Sequence, residues 1–105
     1  MKIERYIWCI AKANRFCAQR VGAKALNHTE LRVIYAIRKL ATSTHSTITQ
    51  LLRQYQNIAS ENRVSYALKH LREMDLITKT NNTYALSPSG REFLALMRRY
   101  FLNIR

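Results

Sequence analysis

Apolar positions recur at helical spacing in separate stretches of this chain and change to strand spacing only around residue 80. Over Lys2–Ala18, the residues Ile3, Ile7, Ile10, Ala11, Cys17 and Ala18 fall near one face, with Lys2, Arg5, Lys12 and Arg15 elsewhere. Tyr6 and Trp8 lie off that stripe, so this helix is apolar over more than one side, which a single packing surface does not need. Arg20–Leu26 is a connector of mostly small residues in which Gly22 stops the helix. Asn27-His-Thr-Glu30 then pairs an N-cap residue with an acid three places on, the pattern of a capping box. The helix it opens carries a stripe of Leu31, Ile34, Tyr35 and Leu40, with Ile37 or Arg38 at its edge. The stretch from Ala41 to Ser46 is polar and turn-like. A short helix over Thr47–Tyr55 follows, with Ile48, Leu51, Leu52 and Tyr55 inward, and Gln56–Ala59 forms a turn with Ile58 beneath it.

The most informative stretch begins at Ser60, which can cap a fourth helix, with Glu61 suited to the positive end of its dipole. On a helical wheel Val64, Ala67, Leu68, Leu71 and Met74 gather on one side. Asn62, Ser65, Tyr66, Lys69 and Glu73 point the other way, flanked by Arg63, His70 and Arg72. The helix must end near Asp75, a residue type that tolerates left-handed backbone. Ile77–Thr80 and Thr83–Leu86 are β-branched and aromatic, and Asn81-Asn82 between them suits a tight hairpin turn. Ser87-Pro88 is a cap followed by proline at the first helical position. The last helix carries Phe93, Leu94, Leu96, Met97, Tyr100, Phe101 and Ile104.

Composition narrows what such a fold could do. A chain of 105 residues with Gly 2 and Pro 1 fits one domain with short connections, mostly helical. Eighteen Lys+Arg against six Asp+Glu leave a net charge of +12, which on so small a body implies a polyanionic partner. No apolar run approaches the roughly 18 residues that span a bilayer. Charges interrupt Met1–Ala18, so it lacks a signal-peptide layout, and a cytoplasmic protein is expected. Cys9 and Cys17 sit roughly 12 Å apart along one helix, too far to bond to each other, and read as buried apolar side chains. His28, His45 and His70 are dispersed, with no zinc-ligand spacing, and the acids form no pair for acid–base work. Each histidine reads as surface polar, with His70, on the flank of the basic helix, placed near the polyanionic partner. No enzyme activity, metal or cofactor is expected.

The order helix, helix, helix, helix, hairpin, helix, over nearly the whole chain, resembles the winged helix transcriptional regulators. It is most similar to the multiple-antibiotic-resistance regulator (MarR) family. Three segments carry the likeness: Leu26-Asn-His-Thr-Glu-Leu-Arg-Val-Ile34, the run from Val64 to Ile77, and Tyr84-Ala-Leu-Ser-Pro-Ser-Gly90. They look like that family's lead-in to its second helix, its recognition helix and exit, and the return strand of its wing. Two positions depart from the pattern. Asp75 stands where the family usually has glycine, and Asn81-Asn82 makes a shorter wing tip than its common arginine-bearing loop.

The resemblance implies a mostly α, winged helix-turn-helix domain over residues 1–105, with about five helices and a short two-stranded wing. It further implies a homodimeric regulator of transcription, most often a repressor, on double-stranded DNA. The candidate reading residues are Asn62, Arg63, Ser65, Tyr66, Lys69 and Arg72, near the part of such a helix that meets base edges. Arg53, Lys79, Asn81 and Asn82 are candidates for the wing and flanks, with Lys24, Arg32, Arg38 and Lys39 around them. About half of these cations are expected to be plain solvated surface. The terminal helices, about residues 2–19 and 88–104, offer Tyr6, Trp8, Phe93, Met97, Tyr100, Phe101 and Ile104 for dimerisation. The bland reading is that they pack on each other within one chain. A small-molecule effector would fit between the terminal helices and the rest, though no residue identifies one. Two other readings compete: a mobile-element or plasmid replication or excision factor, and an RNA- or protein-binding winged helix.

Overall fold

Side-chain caps decide where the inner helices begin. Asn27 Oδ1 accepts from the Glu30 N–H at 2.8 Å while Glu30 Oε1 accepts from the Asn27 N–H at 2.9 Å, closing the expected capping box. Thr44 and Thr47 do the same for the next helix, each hydroxyl accepting from the other's backbone N–H, at 3.2 and 2.8 Å. That pair starts the helix at His45, two residues before the start expected from hydrophobic spacing. Ser60 Oγ accepts from the Arg63 N–H at 3.2 Å, as its position predicts.

The computed structural model describes the backbone of residues 3–40, 42–56 and 60–104 and the side chains of 12–40, 42–54 and 60–99. Among these the order is α1 (Ile3–Arg20), α2 (His28–Lys39), α3 (His45–Gln56), α4 (Glu61–Glu73), β1 (Ile77–Thr80), β2 (Thr83–Leu86) and α5 (Pro88–Ile104). β1 and β2 pair antiparallel with Thr80 opposite Thr83, so Asn81 and Asn82 alone make the turn. Asn81 takes φ 55°, the left-handed value that primed hairpin turns need at their first central residue. The expectations for Tyr55 and Ile58 lie outside the described side chains.

Two helix ends share one device. After α1, the Ala23 N–H reaches Ala18 O and the Gly22 N–H reaches Gln19 O, with Gly22 at φ 75°. After α4, the Leu76 N–H reaches Leu71 O and the Asp75 N–H reaches Arg72 O, with Asp75 at φ 60°. Both are Schellman motifs. The departure at Asp75 therefore leaves the helix exit intact.

The core gathers around α2, which packs against α3, α4 and β2. Its central place explains why Val33, Ala36 and the edge residue Ile37 are buried beside the expected Ile34: a helix covered from several sides needs more than one apolar stripe. Val64, Ala67, Leu68 and Leu71 of α4 enter this core, together with Leu76 and Ile77. α1 packs along α5, where Ala13, Cys17 and Ala18 join Phe93, Leu94 and Met97 among the buried residues. Phe93, fully buried, contributes about 2–3 kcal/mol of transfer free energy. Burial also raises the pKa of the Cys17 thiol by disfavouring its charged form, so this cysteine is not poised for redox chemistry.

Long-range polar contacts join the pieces. Asn14, buried on α1, takes the Leu26 N–H at 3.0 Å and donates to Leu26 O, clamping the connector to the first helix. Ser87 Oγ donates to Asp75 O and accepts from the Gly90 N–H, while the Ser87 N–H donates to Leu76 O at 3.1 Å. The exit of α4 and the start of α5 are thereby one junction.

Candidate nucleic-acid interface

The inward stripe of α4 commits its opposite side to solvent. Asn62, Arg63, Ser65, Tyr66, Lys69, Arg72 and Glu73 are all exposed there, as the helical wheel requires. Tyr66 is 65% exposed, an aromatic ring left outside the core in the middle of a polar and cationic face. A solvated ring of that size has no packing reason to be there, whereas an amphipathic side chain suits a contact surface.

Three neighbours hold this helix in place. Its buried face sits on α2, α3 packs beside it, and its exit is tied through Ser87 to α5. Two histidines add polar ties that the sequence reading missed, although His70 stays on the surface as expected. His70 Nδ1 lies 3.1 Å from Glu30 Oε2, and the Glu30 side chain is 6% exposed. Glu30 therefore caps α2 with one oxygen and binds α4 with the other. His45 Nε2, from the first turn of α3, lies 2.9 Å from Ser65 Oγ and 3.3 Å from Glu61 O on α4. The Thr44/Thr47 spacing could have revealed the helix start, but no local signal shows which helix His45 would meet.

Beside α4 the hairpin projects as a short wing. Lys79 and Tyr84 are cross-strand partners, and the Lys79 ammonium lies 5.6 Å from the Tyr84 ring centre. Asn81 and Asn82 are exposed at the tip. The Tyr84 N–H donates to Ser43 O at 2.7 Å, so the segment leading into α3 pairs with the return strand of the wing, one pair from its tip. Arg53 is exposed on α3, and Lys24 and Lys39 are exposed on their connector and helix, whereas Arg32 is half-buried.

Arg38 belongs elsewhere. With Arg91, Arg98 and Arg99 of α5 it lines a cleft of about 340 Å³ whose walls include Leu86 and Leu94. No residue of α4 lines it. None of the four guanidinium groups has an acidic partner within 4.0 Å among the described residues.

The residues expected at a dimer interface divide. Phe93 and Met97 are 0% and 1% exposed within the single chain, so they serve its own core rather than a surface. The side chains of Tyr6, Trp8, Tyr100, Phe101 and Ile104 lie outside the described residues. Among the described residues no cluster of His, Cys, Asp and Glu could hold a metal ion, and no helix is long and apolar enough to cross a membrane.

Comparison with known proteins matches this arrangement to a solved structure. No family model matches the chain, and no curated protein does. The crystal structure of a MarR family transcription regulator superposes on 96% of this chain with a TM-score of 0.68, at 15% sequence identity. This chain has the winged helix fold of that regulator. It spans 66% of that protein's length. The likeness resides in the path of the backbone, since few side chains are shared.

Proposed function

We propose that this chain is a sequence-specific regulator of transcription that binds double-stranded DNA as a homodimer in the cytoplasm and represses by occluding a promoter. The observation that carries the reading is the outer side of α4. A solvent-facing row of Asn62, Arg63, Ser65, Tyr66, Lys69 and Arg72 stands beside a hairpin bearing Lys79, on a chain of net charge +12. Arginine and lysine can pair with guanine and asparagine with adenine, while hydroxyls serve bases or phosphates. Lys79, Asn81 and Asn82 would meet backbone phosphates, which position a protein without reading sequence. The wing's two-residue tip suits that shallow role.

The fold shared with a MarR family transcription regulator supports the regulatory reading. An anionic effector would seat in the arginine-lined cleft between α5 and the α2–β2 side, where cations without acidic partners among the described residues stand next to apolar walls. Dimerisation would use the exposed remainder of the terminal helices, because Phe93 and Met97 are already buried.

Selection of bound fragments from random duplex DNA at physiological salt tests the proposal. Recovery of a short motif repeated with two-fold symmetry, its halves about one helical turn or roughly 34 Å apart, is the expected result. Binding that enriches no motif and varies only with salt would replace this reading with an architectural one.

A further inference from the structure

Ser65 lies in the middle of α4, and a serine there usually turns its hydroxyl back onto the carbonyl four residues earlier. In this chain that carbonyl belongs to Glu61, and the His45 ring stands against it. His45 Nε2 is 3.3 Å from Glu61 O and 2.9 Å from Ser65 Oγ. A backbone carbonyl can only accept a hydrogen bond. A proton on the nitrogen facing it satisfies that contact, since a bare lone pair there would be repelled by the carbonyl. The same N–H is shared with Ser65 Oγ, which therefore accepts. With that proton on Nε2, the serine's own proton meets no other acceptor among the described residues and is left on the exposed side of the helix.

His45 is itself held firmly. The Thr44/Thr47 caps fix its backbone, Thr49 Oγ1 donates to its carbonyl at 2.7 Å, and Ser43 just before it is paired with Tyr84 of the wing. The segment that carries the imidazole thus connects the wing's return strand to the outer face of α4. A hydroxyl whose oxygen accepts from an N–H is polarised into a better donor.

We infer that His45 is a positioning residue of the DNA-reading surface, presenting Ser65 as a hydrogen-bond donor to an acceptor on duplex DNA. This rests on the DNA-binding reading above. The acceptor is a phosphate oxygen or a base-edge atom such as guanine N7 or O6, adenine N7 or thymine O4. An exocyclic amino group is excluded, because it too would donate.

A double-mutant cycle tests the pair, with mobility-shift titrations on the selected fragment and on a scrambled duplex. Ser65→Ala is expected to weaken binding about five- to tenfold, the scale of one polar DNA contact. A loss on both duplexes assigns the acceptor to phosphate, and a loss confined to the selected fragment assigns it to a base. His45→Ala should give a similar loss, and the double variant should be no weaker than either single one. His45→Gln, whose side-chain amide can still donate, should recover most of the affinity. Losses that add, or a silent His45→Ala beside a weakened Ser65→Ala, would overturn the inference.

Nitrogen chemical shifts of the imidazole in the free wild-type chain give a second readout that needs no variant to fold. An Nε2–H tautomer is expected, and an Nδ1–H tautomer defeats the inference while leaving DNA binding intact. Failure of the wild-type chain to bind any duplex would instead defeat the regulator reading itself, and this proposal with it.

Discussion

Glu30 carries the most consequence for its size at the residue scale. It is buried, yet each carboxylate oxygen has a partner: the Asn27 N–H on Oε1 and His70 Nδ1 on Oε2. Glu30→Ala removes a cap and an inter-helix tie together, and should lower stability by about 1–3 kcal/mol in urea unfolding. Glu30→Gln should lose less, because its amide oxygen still accepts from Asn27; equal losses would show that the capping bond contributes nothing. Arg63 is the contrasting case. Its backbone N–H is bound by Ser60 Oγ whatever its side chain, and the side chain faces solvent. Arg63→Ala should therefore leave the melting temperature almost unchanged and weaken specific DNA binding by roughly 1–3 kcal/mol. Unchanged affinity and unchanged sequence preference in a mobility-shift titration would remove Arg63 from the reading face.

At the scale of elements, the junction between α4 and α5 governs how the wing and last helix sit. Gly90 shows how tight it is, for a Cβ built there would lie 2.0 Å from Leu76 O and 3.1 Å from Leu76 C. Both are backbone atoms and cannot swing aside. Gly22 is the opposite: its Cβ would meet nothing within 4 Å, and only its φ of 75° opposes a side chain. Gly90→Ala is expected to cost about 3 kcal/mol through overpacking. Gly22→Ala should cost about 1 kcal/mol through left-handed backbone strain. Thermal melts of the two variants check the order, and a Gly90→Ala that melts like wild type would mean the junction yields.

Charge and assembly are properties of the whole molecule. If about six basic side chains neutralise phosphates, log K should fall with log salt at a slope near −5 per protomer. Lys79→Gln should make that slope shallower by about one if the wing meets the backbone. A flat salt response would be incompatible with a phosphate-dominated contact by a chain of charge +12. Light scattering at micromolar concentration should report twice the 12.3 kDa chain mass. A species of 12.3 kDa alone would confine α1 and α5 to packing on each other.

Local chemistry made much of this legible from the chain. The capping box at Asn27–Glu30, the caps at Ser60 and Ser87, the left-handed turn at Asp75 and the two-residue hairpin tip are short-range events. Each depends on residues within a few positions of one another, so a linear sequence contains all the parties. The same is true of the two faces of α4, because helical periodicity alone separates Val64, Ala67, Leu68 and Leu71 from the exposed row.

What the periodicity could not specify was which elements meet. Val33 is buried because three elements converge on α2, Phe93 and Met97 because α1 lies along α5, and Arg38 joins the α5 arginines because they line one cleft around Leu86 and Leu94. The ties of His45 and His70 were not legible because their partners, Ser65 and Glu30, lie 20 and 40 residues away. Hydrogen bonds over such distances form only after packing has brought the helices together. Short-range chemistry sets the order of the elements and the polar side of the fourth helix, whereas packing between distant segments sets how that side is held.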